Sequence, residues 1–456
     1  MYFFYRLFLL HHRAKEISEG VTDDRAYHGL KERRVIMKGK HSKILGIYTG
    51  CFILILTLFA GVPFGAMAAD TVKIGNQQPM TGPMEAYGRA FAVGLQFVVD
   101  EQNAKGGLLG KKIEVITEDN EFKPDVGVRK AKKLVLENKV DFLANAMGSH
   151  IAIALNKVAA ESKTLLFHYG AMTDGIMGKE FNRYTFRMTT SIYNLNVAQA
   201  LLLATTPYRK LYSINMDFVA GHEGDRLSKE LVKRYAPDAT WVGTDFHPIG
   251  TKDFGPYITK IIASKADAIV SQTYGPDFIN MVKTARAMGL KAPFPFFNNL
   301  AKHPYLLNDL KDDAVGIHWC HEYSLRVKTP ENEEMIKKYH EQHKEDKDFL
   351  TWWPSSDTSM AILGWKMVFA AVEKAGSLDP EKIIETFENN FQWKSPVGLW
   401  TMRKCDHQVI LPVYGGVIEG GPNPFYKFPW AGPKVIQFPA EKVALPATPD
   451  YNPRCQ

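Results

Sequence analysis

The 456-residue chain lacks the short sequence signatures of the common enzyme classes. It contains neither the G-x-S-x-G motif of a nucleophile elbow nor the G-x-G-x-x-G motif of a dinucleotide-binding turn. The segment GGLLGKK at residues 106–112 resembles a phosphate-binding loop only loosely, because it is one residue short and Lys112 stands where Ser or Thr should bind the metal. We interpret it as a tight turn, and the sequence predicts no enzyme.

Plausible metal-binding motifs are also scarce. The HEQH segment at residues 340–343 lacks the two residues that a zinc protease needs between its Glu and its second His. His318 and His321 flank Cys320. In a strand, His318 and Cys320 would point to the same side, but the sequence shows no fourth ligand to complete a metal site there. We therefore expect no metal site and no cofactor.

The part of the chain after residue 68 also lacks a large excess of positive or negative charge. The first 68 residues hold 10 of the 56 basic residues and 5 of the 49 acidic ones, so the rest carries 46 basic and 44 acidic residues. The net charge of +7 falls to +2 without that segment. This balance indicates no nucleic-acid partner.

One N-terminal segment has the pattern of a secretory signal. Lysines follow Met37, an apolar run covers residues 44–59, and an A-x-A cleavage site ends at Ala68. We predict that residues 37–68 are a cleaved signal peptide and that the protein is periplasmic, with a retained membrane anchor as the alternative. A lipoprotein at Cys51 fits poorly, because most of the apolar run follows that cysteine.

Residues 1–36 resemble no targeting segment. We predict that Met37 is the true start and that residues 1–36 are a mis-called extension.

Three cysteines follow the signal segment, at positions 320, 405 and 455. Export makes one disulfide plausible. The sequence leaves several pairings open. In one of them, a disulfide between Cys455 and Cys405 would link the C-terminal tail to the rest of the chain.

Strand and helix patterns alternate along the exported part. Runs of apolar residues that suit buried parallel strands are separated by segments with helical periodicity. The number of these units predicts an α/β fold with two doubly wound parallel-sheet lobes. A long helix is predicted at residues 356–376, and a short hairpin at residues 408–420.

Polar and glycine residues cluster where strands give way to helices, at residues 81–82, 148–149, 170–173 and 275–277. Parallel sheets bind ligands at the carboxyl ends of their strands, where helix N-termini offer free N–H groups to a carboxylate. Asp277 adds a negative charge. Together they favour a zwitterion such as an amino acid, although each residue alone could simply cap a helix.

Four segments, at residues 80–134, 170–198, 247–290 and 402–418, carry a family resemblance. Their order and spacing resemble those of exported solute-binding proteins of ABC importers, of the leucine/isoleucine/valine-binding type. The resemblance implies a type I periplasmic-binding fold, with three hinge crossings near residues 187–191, Tyr323 and residues 393–402. It also implies that the N-terminal lobe consists of residues 69–187 and 324–395. The C-terminal lobe, with the tail, consists of residues 188–323 and 396–456.

The resemblance also implies a set of ligand-binding residues. These are Thr81, Tyr87, Ser149, Gly170, Ala171, Thr173, Tyr193, Phe218 and Asp277. In this family, the positions of Ser149 and of the turn at 170–173 hold the ligand's carboxylate. Asp277 matches the acid that pairs with its ammonium, where Glu is usual. The cysteine that some members carry near the position of Ser149 is absent, which leaves side-chain specificity open.

The function that the resemblance implies is the capture of a small polar solute, most simply a branched-chain amino acid or a related amide. The partner would be a membrane ABC permease, and the protein would act as a monomer. Two alternatives stay open: a sensor that passes the bound solute to a membrane receptor, and a binder of aromatic acids.

Overall fold

The computed structural model describes residues 71–299 and 301–456. The predictions for residues 1–36 and 37–68 lie outside these residues. No described helix combines the length and the apolar character that crossing a membrane requires.

The described elements alternate between strand and helix over most of the chain. The strands are β1 (Val72–Gln78), β2 (Ile113–Asp119), β3 (Phe142–Asn145), β4 (Leu165–His168), β5 (Thr185–Arg187), β6 (Lys210–Met216), β7 (Thr240–His247), β8 (Ala268–Val270), β9 (Phe296–Phe297), β10 (Ile317–His321), β11 (Gln392–Ser395), β12 (Gly398–Met402), β13 (Val409–Ile410), β14 (Val413–Glu419), β15 (Trp430–Ala431) and β16 (Ile436–Phe438). The helices are α1 (Glu85–Ala104), α2 (Pro124–Leu136), α3 (Ser149–Ser162), α4 (Ile192–Ala204), α5 (Val219–Tyr235), α6 (Gly255–Ser264), α7 (Gly275–Ala287), α8 (Pro304–Leu310), α9 (Pro330–His343), α10 (Ser356–Ala375), α11 (Pro380–Glu388) and α12 (Ala440–Val443).

The first lobe is built on a parallel sheet with the strand order β2-β1-β3-β4-β5. In the centre of this sheet, Ile74 of β1 lies between Val115 of β2 and Phe142 of β3. Strands β3 and β4 are buried along their whole length, as expected for a sheet with helices on both faces. The carboxyl ends of β1, β3 and β4 therefore meet at one edge of the sheet.

Helix α10 returns late in the chain to cover the first sheet. The indole ring of Trp365 packs against Phe142 and Phe167, at centroid distances of 6.5 and 5.5 Å. Helix α10 also crosses α1 closely at Gly94, where a Cβ atom would lie 2.3 Å from the carbonyl oxygen of Thr358. Only glycine permits this approach, which seats α10 and brings its N-terminus beside α1.

The second lobe contains a sheet with the order β15-β14-β10-β9-β8-β6-β7, and β16 also pairs with β14. Strands β6 to β10 are parallel to one another, whereas β14 joins β10 antiparallel. The predicted α/β fold with two parallel-sheet lobes is confirmed, with an antiparallel edge added to the second sheet.

The hairpin predicted at residues 408–420 is wrong. Strand β13 pairs with β12 in a small antiparallel sheet with β11, whereas β14 pairs with β10, β15 and β16. Pro412, which has no backbone N–H to donate, lies between the two strands. The chain therefore changes sheet here instead of turning back on itself.

The C-terminal tail is fastened to the first lobe. Cys405 and Cys455 form a disulfide, which confirms the pairing that the sequence left open, and Cys320 is a buried free thiol. The side-chain amide of Asn452 donates to the carbonyl of Met177 at 2.8 Å. The hydroxyl of Tyr451 donates to the carbonyl of Asp174 at 3.1 Å, so the tail supports the segment that follows β4.

Candidate ligand-binding site

A cavity lies between the carboxyl ends of the strands of the two sheets. It offers about 100 Å³ to the centres of water-sized molecules, which is room for several waters or one small solute. The first lobe contributes the start of α1, the turns after β3 and β4 and the start of α10. The second lobe contributes α4, the turns after β6 and β8, the loop before α8 and the end of β10.

The first-lobe wall is formed around the N-terminus of α3. Gly148 precedes this helix with φ = 88°, a left-handed conformation that glycine adopts without strain. The backbone N–H of Thr173 donates to the hydroxyl oxygen of Ser149 at 3.3 Å, so that the Ser149 hydroxyl keeps its own hydrogen for a ligand. The first N–H groups of α3 and this hydroxyl form a donor site for an anion.

Apolar and aromatic side chains form most of the remaining wall. Phe91 and Met147 line it from the first lobe, and Leu195 and Phe218 from the second. The ring of Tyr274 lies edge-on to Phe218, with 6.0 Å between the ring centroids. Such a wall suits an apolar ligand body, whether aliphatic or aromatic.

A polar cluster closes the opposite part of the cavity. Its members are Lys302, His303, His321, Ser356 and Asp357. The Nε2 atom of His303 lies 3.4 Å from Oδ2 of Asp357, and Nδ1 of His321 lies 2.9 Å from Oε2 of Glu322. Lys302 is buried, donates from Nζ to the carbonyl of Tyr323 and places its ammonium 4.0 Å from the centroid of the Trp319 ring.

Burial governs the protonation of this cluster. It lowers the pKa of Lys302 to about 7, against the opposing effect of the nearby Glu322 and Asp357 charges. Burial also lowers the pKa of His303, whose Nδ1 accepts a hydrogen bond from the N–H of Tyr305 at 3.2 Å. His303 is therefore mainly neutral at pH 7, with its hydrogen on Nε2, which lies 3.4 Å from Oδ2 of Asp357 without a well-aligned hydrogen bond.

The lobes are in direct contact across the cavity. The N–H of Gly275 donates to the hydroxyl oxygen of Tyr87 at 3.3 Å. The Glu223 carboxylate accepts from the hydroxyl of Thr173 and, at 3.2 Å, from the N–H of Asp174. Burial, followed by the Glu223 charge, raises the pKa of Asp174 to about 7. These contacts hold the lobes closed around the cavity.

The sequence profile of periplasmic binding proteins matches residues 71–422, more than three quarters of the chain. The chain belongs to this family. Its members are solute-binding proteins, in agreement with a site that lies between two lobes.

Relatives named for leucine, isoleucine and valine match about half to three quarters of this periplasmic binding protein. The Leu/Ile/Val-binding protein homolog 4 of Brucella melitensis is 23% identical over 359 residues, which cover 76% of this chain and 83% of the relative. The Leu/Ile/Val-binding protein BraC3 of Rhizobium johnstonii is 28% identical over 224 residues, which cover 49% of this chain and 60% of the relative.

Solved structures show the same fold. An ABC-transporter solute-binding protein from R. palustris, in complex with 4-hydroxybenzoate, has a TM-score of 0.72 and 23% identity, covering 81% of this chain and 97% of that chain. The Leu-, Ile-, Val-, Thr- and Ala-binding protein from Brucella ovis, in its closed conformation, has a TM-score of 0.72 and 19% identity, covering 85% and 99%.

Six of the nine residues named from the sequence line the cavity. They are Tyr87, Ser149, Gly170, Ala171, Thr173 and Phe218. The hydroxyl of Thr173 is already donated to Glu223, so this residue offers no hydroxyl donor to a ligand.

The other three residues do not line the cavity, and the structure corrects their expected placement. Thr81 donates its hydroxyl to Oδ2 of Asp119 at 2.6 Å, at the exposed end of β2. Tyr193 packs against the apolar core around α4. Asp277 directs its carboxylate away, accepting from the N–H of Gly250 at 2.8 Å and lying 3.7 Å from Nδ1 of His247.

The sequence analysis named no member of the polar cluster as a ligand-binding residue. Lys302 and His303 follow a strand of only two residues, which gives a weak sequence signal. Ser356 and Asp357 begin a helix capped by Ser355, whose hydroxyl oxygen accepts from the N–H of Thr358 at 3.1 Å. That capping pattern was visible in the sequence and marked one more helix N-terminus.

Proposed function

We propose that this chain is the exported substrate-binding component of an ABC importer and captures a small solute between its two lobes. The observation that carries the proposal is the cavity between the two lobes, to which the strand ends of both sheets contribute. A ligand that contacts both walls favours the closed state over the open one, and it is trapped without chemical change.

An amino acid, of the branched-chain type or a related amide, is the first ligand class. Its carboxylate would accept from the Ser149 hydroxyl and from the N–H groups that begin α3. Asp357 would take the ammonium in place of Asp277, because it is the carboxylate that lines the cavity. The relatives named for leucine, isoleucine and valine support this class.

Aromatic acids are the second ligand class. The rings of Phe91, Phe218 and Tyr274 line the cavity and would pack against a ligand ring. The R. palustris protein in complex with 4-hydroxybenzoate supports this class.

The importer role adds further components to the proposal. The protein would reach the periplasm through a cleaved signal peptide, act there as a monomer and deliver its ligand to a membrane ABC permease. The family assignment supports these points.

The test is a binding panel with the purified protein. Isothermal titration calorimetry and thermal shift would be measured with amino acids, short amides and aromatic acids. A ligand at about 100 times its dissociation constant should add roughly 2.7 kcal/mol of stability. Leucine and 4-methylpentanoate form a matched pair, because the second lacks only the ammonium.

Binding of leucine but not 4-methylpentanoate, with the preference lost in Asp357→Asn, would support the amino-acid class. Tight binding of benzoates would favour the aromatic class. A panel in which no solute binds or stabilises the protein would contradict the proposal.

A further inference from the structure

The polar cluster carries unused hydrogen-bonding capacity inside the cavity. Ser356 is only 4% exposed, and its hydroxyl has no hydrogen-bond partner among the described residues. The Nε2 atom of His303 has no hydrogen bond of good geometry either, although the side chain is buried. Buried polar groups are normally paired, so these two unpaired groups, in residues that line the cavity, are candidates to bind a ligand.

Lys302 adds to this capacity. Its ammonium has three donors, and the structure assigns one of them, to the carbonyl of Tyr323. Ser356 and Asp357 stand at the start of α10, a helix of 20 residues whose N-terminus offers a partial positive charge. A hydroxyl, an ammonium and a helix N-terminus are therefore present along the part of the cavity that Asp357 also lines.

The cluster already contains charged groups of both signs. Lys302 lies near the Glu322 and Asp357 charges, and Nδ1 of His321 lies 2.9 Å from Oε2 of Glu322. A remote ligand group that brought a further charge into this buried site would carry a large desolvation cost. A neutral group that both donates and accepts would satisfy the unpaired donors at a lower cost and would leave Asp357 to the ligand's ammonium.

We propose that Lys302, His303 and Ser356 form a second ligand-binding pole, which binds a hydroxyl or carboxamide at the end of the ligand remote from its carboxylate. This inference rests on the proposed function and deepens it, because it defines the ligand as an acid with two polar ends and an apolar body. Ser356 belongs to α10 of the first lobe, and Lys302 and His303 to the second. The remote group would therefore bridge the lobes.

The test uses solutes of matched shape with the purified protein. The pairs are 4-hydroxybenzoate with 4-methylbenzoate, and asparagine with leucine, each differing mainly in the remote group. In at least one pair, titration calorimetry should show the hydroxyl or amide member binding about 10-fold tighter or more, because a methyl group would leave the buried donors unpaired. Aspartate, the charged counterpart of asparagine, should bind more weakly than asparagine.

Two variants and one control test the residues. Ser356→Ala should reduce the preference for the hydroxyl or amide member to within about 2-fold, and Lys302→Met should do the same if it folds. Ser359→Ala is the matched control, because Ser359 is a fully buried serine one turn further along α10 that does not line the cavity. It should keep the wild-type preference.

The outcomes separate the two proposals. Equal affinity for both members of every pair would overturn the second pole and leave the importer role standing. The second pole would also be overturned if aspartate bound tighter than asparagine, or if Ser356→Ala kept the preference for the hydroxyl or amide member. It would be overturned as well if other acids bound but none of these four solutes did. In each case the importer role would stand. If no solute of the whole panel binds, the proposed function fails, and the second pole fails with it.

Discussion

The hydroxyl oxygen of Tyr87 accepts a hydrogen bond from the backbone N–H of Gly275 at 3.3 Å, joining the two lobes across the cavity. The Tyr87 ring also lies 4.4 Å from the His303 ring, measured between centroids. Burial raises the pKa of Tyr87 well above its ordinary value, so the phenol is neutral and its hydrogen stays available for a ligand. The tyrosine one turn into α1 thus contributes directly to closure.

Tyr87→Phe should weaken ligand binding by about 3- to 10-fold, which corresponds to one lost hydrogen bond in the closed state. The melting temperature without ligand should stay close to that of wild type, because the bond joins lobes that part on opening. The control is Tyr169→Phe, whose hydroxyl donates to Asn76 Oδ1 at 2.6 Å within the first lobe. That variant should lose stability and keep its affinity. The reverse pattern would show that Tyr87 is only a core residue.

Glu223→Ala should accelerate ligand release, because its carboxylate accepts from Thr173 and from the N–H of Asp174 across the cleft. Two hydrogen bonds to a charged group justify a loss of affinity of about 10-fold or more. Stopped-flow measurement of dissociation checks this. The control is Glu230→Ala on the same helix, which removes only an exposed ion pair with Arg226. Equal release rates in both variants would show that the Glu223 contact does not hold the lobes together.

Much of the fold was predictable because its signals are local. Strands such as β3 and β4 are buried along their whole length, and their runs of apolar residues are visible in any short window. The strands with which β13 and β14 pair were not predictable in this way. Both segments have strand composition, but their partners, β12 and β10, are chosen by contacts distant in the sequence.

The site was predictable only where it follows the strand-to-helix rule. Ser149 and the turn at residues 170–173 line the cavity because they follow β3 and β4. Asp277 obeys the same rule, yet its side chain turns to Gly250, which lies in a neighbouring loop. Position along the chain therefore located the right edge of the sheet but not the direction of each side chain.

Asp277→Asn should leave ligand affinity within about 2-fold of wild type and lower the free energy of unfolding by about 1 kcal/mol, because its carboxylate holds the N–H of Gly250 and does not line the cavity. Asp357→Asn is the matched variant, and it should weaken amino-acid binding by about 10-fold or more. Calorimetry and chemical denaturation separate the two effects. Lost binding with unchanged stability in Asp277→Asn would restore Asp277 as the partner of the ammonium.

Breaking the disulfide should destabilise the protein. Cys405 and Cys455 are 50 residues apart in sequence, so their link restricts the unfolded chain and holds the tail in the position where Asn452 bonds Met177 of the first lobe. The double variant Cys405→Ser, Cys455→Ser should lose about 2–4 kcal/mol of unfolding free energy. Reductant should lower the stability of wild type towards that of the variant and leave the variant unchanged. A wild type indifferent to reductant would contradict this role.

Acid should destabilise the folded state through His318. Burial lowers the pKa of His318 to about 4, while its Nδ1–H donates to the carbonyl of Gly316 at 3.0 Å. The pKa of a histidine in the unfolded chain is about 6.5. Between about pH 6.5 and pH 4, the unfolded chain therefore binds a proton that the folded protein excludes. Neutral His318 therefore contributes to the free energy of unfolding fully above about pH 6.5. This contribution is lost as the pH falls towards 4, at up to about 1.4 kcal/mol per pH unit and about 3 kcal/mol in total.

Chemical denaturation at pH 7.5 and pH 4.5 measures this effect. His318→Phe keeps a ring against Phe297, whose centroid lies 4.4 Å from that of the histidine, but cannot titrate. It should be somewhat less stable than wild type at pH 7.5, because the bond to Gly316 is lost, and should lose about 2–3 kcal/mol less on acidification. His318→Gln, which also cannot titrate, should show the same reduced pH dependence without the ring. Parallel acid curves for wild type and both variants would show that His318 takes up its proton without cost to the fold.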